Sequence, residues 1–260
     1  EFVESEKRNL IADIESELND KRSYAATQMQ RHLCDGDSFA LPIRGTVEDV
    51  RAITPRSLYE HYQKILRTSP AEIFYVGSAS AEETARCLMP LANALAAEPM
   101  ALPEQTTLKL TAPEREFSET MDINQGKLSM GFVTPVDYWH PDYIAMQVFN
   151  AVYGAGMTSK LFMNVREKLS LCYYAGSGYY GSKGIVTVSS GIDEYNYETA
   201  KAEILRQLLL TADGQITDAE LSAAKSAIIS GLRSVPDSPR ALEGFYGTLY
   251  LCGRTDDLRE

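Results

Sequence analysis

Between Gly154 and Gly191 the chain passes in quick succession through residues that stop, wind and extend a backbone, and no other stretch limits the fold as much. Gly154-Ala155-Gly156-Met157-Thr158-Ser159-Lys160 reads as a helix stop that needs positive φ. Leu161 to Tyr174 (LFMNVREKLSLCYY) reads as a short amphipathic helix running into a strand. Tyr173 to Tyr180 and Ile185 to Ser190 then form two strands, joined by a Gly181-Ser182-Lys183-Gly184 hairpin turn. Arg166 and Tyr173 stand seven residues apart across the helix–strand junction. A guanidinium can hold a peptide carbonyl, and a phenol can donate a hydrogen bond to a developing oxyanion. Strict alternation sends Tyr174 to the other side of the strand, so one phenol of the two can face a cleft, and register favours Tyr173.

The rest of the chain is punctuated as clearly. Residues 2 to 34 predict two consecutive helices, with Val3, Leu10, Ile14 and Leu18 on one face of the first. Thr54-Pro55 opens a helix running to about Arg67, followed by a short buried strand at Ile73-Phe74-Tyr75-Val76-Gly77. Ser80 and Glu83 have capping-box spacing before a helix through Leu88, Leu91 and Leu95. Residues 96–107, with Pro99 and Pro103, lose periodicity and read as a linker. Beyond it, Lys127 to Val133 alternates as a half-buried strand, and His140-Pro141 starts an apolar helix through Val152. Tyr197 to Leu210 and Thr217 to Leu232 predict two long helices. Leu18 to Gly36 also echoes Val235 to Gly253, each after a long helix, as though one repeat ended and most of a second followed.

Several chemistries are disfavoured. A net charge of −11 argues against nucleic acid, whose binding rests on neutralising phosphates. No apolar run reaches the roughly 18 to 20 residues needed to span a bilayer, so no membrane partner is expected. Cys34, Cys87, Cys172 and Cys252 form no CxxC pair and read as reduced thiols of a cytoplasmic protein. Beginning at Glu1, the sequence leaves the true amino terminus and any targeting signal open. The Gly154–Lys160 turn lacks the GK[ST] ending of a phosphate loop. His32, His61 and His140 each lack a partner at metal-ligand spacing, and no HxxEH occurs.

The glycine-bearing turn, the Ser159-Lys160-Leu161-Phe162 run and Val165-Arg166-Glu167-Lys168 ahead of Tyr173 resemble the second-domain signature of the insulinase-type (pitrilysin-like) zinc metallopeptidase family. Asn19-Asp20-Lys21-Arg22-Ser23-Tyr24-Ala25 is most similar to non-zinc bacterial members. The resemblance implies an α+β fold of two homologous domains, each a mainly antiparallel sheet with helices packed on one face, both repeats being truncated. Residues 1–95 would be the end of the first domain, 96–107 the linker and 108–260 most of the second. It also implies substrate-backbone and oxyanion roles for Arg166 and Tyr173. For zinc, two registers stay open: Glu4 at the family's ligand position, or Asp13 there with Glu6 supporting it. An acidic face with no metal is the simpler reading of those residues, and the expected cofactor of this chain is none. Zinc would belong to a partner or to a region upstream of Glu1. The leading functional expectation is a peptidase-like subunit, inactive alone, which supplies Arg166 and Tyr173 to a zinc-bearing homologue in a homo- or heterodimer acting on unfolded peptides. The alternatives are a fragment of an active zinc endopeptidase and a structural subunit without proteolytic role.

Overall fold

A computed structural model of the chain describes residues 1–95, 98, 100–101, 107–108, 114–254 and 258. They fall into two compact units, each drawn from separated stretches: Glu1–Ile14, Gly45–Gln105 and Gly231–Glu260 in one, Glu15–Arg44 and Thr106–Ser230 in the other. Most of the expected linker at 96–107 lies outside the described residues.

The elements follow the capping chemistry. Helix α1 (Phe2–Ser16) leads through a 3₁₀ turn into α2 (Lys21–Leu33). The Asp20 carboxylate accepts from the backbone N–H groups of Arg22 and Ser23 and so satisfies donors that a helix start leaves bare. Reciprocal capping boxes at Thr46/Asp49 and Thr54/Ser57 open α3 (Val47–Ala52) and α4 (Pro55–Thr68). Ser80 caps α5 (Ala81–Ala94). Strand β1 (Gly126–Val133) and α6 (Tyr143–Tyr153) precede a π-helix at Leu161–Lys168, where the sequence predicts an ordinary helix. The hairpin β2 (Cys172–Tyr180) and β3 (Ile185–Ile192) follows, then α7 (Tyr197–Ala212), α8 (Asp218–Ser234) and α9 (Pro239–Leu251).

In the unit containing the sheet, the order is β1-β3-β2 and all pairs are antiparallel. Alternation along β1 sends Leu128, Met130 and Phe132 into a core with Tyr153, Leu161, Val165, Val188, Ile192 and Ile204. The opposite face is covered by α2: a Cβ on Gly131 would come within 2.6 Å of both Leu33 Cδ2 and Met29 Sδ. Helices therefore pack on both faces of this sheet, where one face was expected. Small residues on that second face, Ser129 and Gly131, admit a helix that sequence periodicity assigns to no partner.

The other unit is helical among its described residues. Lys7 Nζ donates to the carbonyls of Arg51 (3.1 Å) and Ile53 (2.7 Å), closing the end of α3 beside the buried Val50. The strand expected at Ile73–Gly77 does not form: Ile73, Phe74, Tyr75 and Val76 carry no regular structure and are 37–49% exposed. A strand needs a neighbour to take its backbone groups, and none pairs there among the described residues.

Candidate functional site

The turn before the π-helix uses its two glycines differently. Gly156 has φ +108°, as a helix stop requires, whereas Gly154 keeps a negative φ of −150°, and a Cβ there would sit 2.4 Å from Ser177 Oγ. Lys160 is buried and paired with Glu220 at 2.7 Å, so its ammonium is not offered to a phosphate. Burial pushes the Glu220 carboxyl up, but hydrogen bonds from Lys160 and Thr217 outweigh it and leave the group below its ordinary value.

Arg166 lies in the π-helix with its guanidinium 4.7 Å from the Phe162 ring centroid and 3.2 Å from the Glu167 carboxylate. Its side chain is 39% exposed, and an ion pair so open to water is worth about 0–1 kcal/mol, which an incoming carbonyl can displace. Tyr173 is 61% exposed at the start of β2. No hydrogen bond joins Tyr173 to Arg166 among the described residues. Burial raises the Cys172 thiol, while the Ser190 hydroxyl and the Arg166 charge draw it back, so Arg166 is felt at the root of β2. Tyr195, also exposed, is raised chiefly by its hydrogen bond to Asp193, with the Tyr173 phenol among the lesser causes.

A β-bulge changes the expected pairing of the adjacent tyrosines. Cys172 pairs with Ile192 and Tyr174 with Gly191, leaving Tyr173 as the extra residue. Cys172 is in the core, yet Tyr174, two residues on, lies against Gly191 and under Arg22 of α2. Period-two alternation thus breaks at Tyr173. Of the two phenols Tyr173 is open to solvent, while the Tyr174 hydroxyl is buried.

The residues weighed for zinc are not assembled. Glu4 is exposed and paired with Lys7 at 3.5 Å, and Glu6 and Asp13 are exposed on the same helix. His32 stacks on Phe117 at 3.7 Å, His140 Nδ1 accepts from the Asp142 N–H, and His61 is exposed. Among the described residues no three His, Cys, Asp or Glu side chains come together to hold a metal. This donor set does not fit zinc.

One network escaped sequence reasoning. Asn164 Nδ2 donates to Gln207 Oε1 (3.0 Å), Gln207 Nε2 donates to Glu203 Oε1 (2.6 Å), and Arg206 binds both Glu203 oxygens. Gln207 is 2% exposed, so a polar residue on the buried face of α7 ties that helix to the π-helix carrying Arg166. A glutamine among apolar positions of α7 was the available signal, but nothing in the sequence named Asn164 as its partner.

Comparison with known proteins adds four findings. The family described as the peptidase M16 inactive domain matches residues 52–228, more than half of the chain. "Probable inactive metalloprotease YmfF" of Bacillus subtilis is 31% identical over 94% of this chain and 57% of its own length. A conserved protein from Enterococcus faecalis V583 superposes with a TM-score of 0.86 at 30% identity, over 98% of this chain and 60% of that one. The peptidase M16 inactive domain from Pseudomonas fluorescens shares the fold at TM-score 0.78 and 20% identity, over 95% and 59% of the two chains. The chain thus spans about three-fifths of the length of these relatives.

Proposed function

Because the chain belongs to the insulinase-type peptidase M16 family and matches its inactive domain, we propose that it is a non-catalytic peptidase-like subunit or domain that lends Arg166 and Tyr173 to a zinc-bearing homologue. The observation that carries this reading is their presentation: a solvent-open phenol at a bulge and a partly exposed guanidinium seven residues earlier, in a chain that gathers no metal-binding group among its described residues. Arg166 would hold a peptide carbonyl by its forked N–H groups, and the Tyr173 O–H would donate to the oxyanion formed on attack. Zinc, on this reading, belongs to the partner or to sequence upstream of Glu1. The two-domain division at residues 96–107, with both repeats truncated, is part of the same proposal. So are a homo- or heterodimeric assembly, unfolded peptides as substrates and a cytoplasmic setting, which four unbridged cysteines support.

The test is reconstitution with an HxxEH-bearing homologue from the same organism. Tyr173→Phe should lower turnover by about 100- to 1000-fold while leaving KM nearly unchanged, as loss of an oxyanion donor does. Unchanged turnover in both Tyr173→Phe and Arg166→Ala, in an otherwise active complex, would leave the pair without a catalytic role and the proposal without support.

A further inference from the structure

We propose that Arg22, Lys127 and Tyr174 form a carboxylate-binding subsite for a peptide, an inference that rests on the peptide-handling role above. Arg22, on the first turn of α2, holds its guanidinium carbon 4.3 Å from the Tyr174 ring centroid. Lys127 of β1 brings its ammonium to 5.9 Å from the same centroid. The ring itself lies against β3 at Gly191, where a Cβ would meet Tyr174 Cε1 at 2.5 Å and Gln125 Oε1 at 2.8 Å. Only glycine leaves room for this platform, so the phenol is held in place and the two cations are ordered around it.

Among the described residues neither cation is paired with a carboxylate. The Arg22 side chain is exposed and makes no ion pair among the described residues, while Lys127 donates to the amide oxygen of Gln125. Asp20, whose carboxylate feels the Arg22 charge, commits its oxygens to Arg22 N, Ser23 N and Ser23 Oγ. Two cations at one ring with no carboxylate partner among the described residues are unexpected in a chain of net charge −11. The Tyr174 hydroxyl is buried with no hydrogen-bond partner, an arrangement that stability alone does not select.

A planar carboxylate matches an arginine fork, with the lysine as a second point charge. Tyr174 follows Tyr173 directly, and neighbouring Cα atoms are about 3.8 Å apart. On this proposal, a peptide whose carbonyl is held at Tyr173 carries the bound carboxylate one or two residues further along. That carboxylate is either the end of the peptide chain or an acidic side chain.

The experiment titrates the chain with a short fluorescent peptide in three forms: free carboxylate end, carboxamide end, and carboxamide end with one internal glutamate. The free acid should bind about tenfold tighter than the plain carboxamide, as for a charge-assisted pair partly screened by water. Arg22→Gln and Lys127→Gln should each remove most of that preference. Arg233→Gln, an equal charge change at another exposed position, should leave it intact. A glutamate-bearing carboxamide that binds like the free acid assigns the subsite to side chains as well as chain ends; one that binds like the plain carboxamide assigns it to chain ends. Equal binding of acid and plain carboxamide, or a preference that survives both substitutions, overturns the subsite while leaving the peptide role standing. Absence of binding by every form overturns both.

Discussion

Helices α2 and α9 are built alike and used differently. Each follows a long helix and a three-residue 3₁₀ turn, runs for 13 residues, ends at a buried cysteine (Cys34, Cys252) and is followed shortly by a glycine at positive φ (Gly36, Gly253). Each start is capped by a short polar side chain, Asp20 or Ser238. Yet α2 lies on a sheet, with Met29 and Leu33 filling the space that Gly131 leaves open. In its own unit α9 meets Phe74 through Tyr250 at 5.6 Å, while Leu251 stays 69% exposed. Similar local sequence makes the same helix twice, and the surface beneath it decides what burial contributes.

The widest separation between the two should come from leucine truncation. Leu33→Ala removes a side chain wedged against β1 and should destabilise the sheet-bearing unit by about 2 kcal/mol. Leu251→Ala, at an exposed position, should stay within about 0.5 kcal/mol. Urea unfolding of both variants measures the contrast, and equal losses would mean that α9 is as firmly seated as α2. The caps should bring the helices back together: Asp20→Ala and Ser238→Ala each remove a side-chain acceptor and should each lower the urea midpoint in the same experiment. A cost at one cap alone would break the likeness of the two starts. The smallest effect is in pH. Hydrogen bonds from the Ser23 side chain and backbone hold the Asp20 carboxyl below its ordinary value. That contribution is complete above the unfolded value near 3.8 and fades as pH falls through the lower folded one. The Ser238 cap does not titrate, so α2 should loosen before α9 below about pH 4, which amide exchange on the two helices resolves.

The same division runs through the candidate site. Arg166, Tyr173 and the hairpin after them were legible because glycine turns, alternation and spacing act over a few residues. The bulge was not, since an extra residue in β2 exists only against the register of β3. The winding around Arg166 was equally hidden: Asn164 meets Gln207 43 positions away, and no local pattern pairs an asparagine with a glutamine at that distance. The strand expected at Ile73–Gly77 had the composition of a strand but no neighbour to pair with among the described residues.

By itself, then, the sequence determined which segments wind, which extend and where they stop, because caps, turns and side-chain periodicity are settled by neighbours along the chain. It also determined that Arg166 and Tyr173 are placed at the two ends of one helix–strand junction. Only the tertiary structure decided that α2 covers the sheet, that Lys160 is spent on Glu220, and that the Tyr174 hydroxyl is buried, its ring beneath Arg22, while Tyr173 stays open. Those outcomes depend on which surfaces meet across tens to more than a hundred residues, and burial and register are properties of the meeting surfaces together.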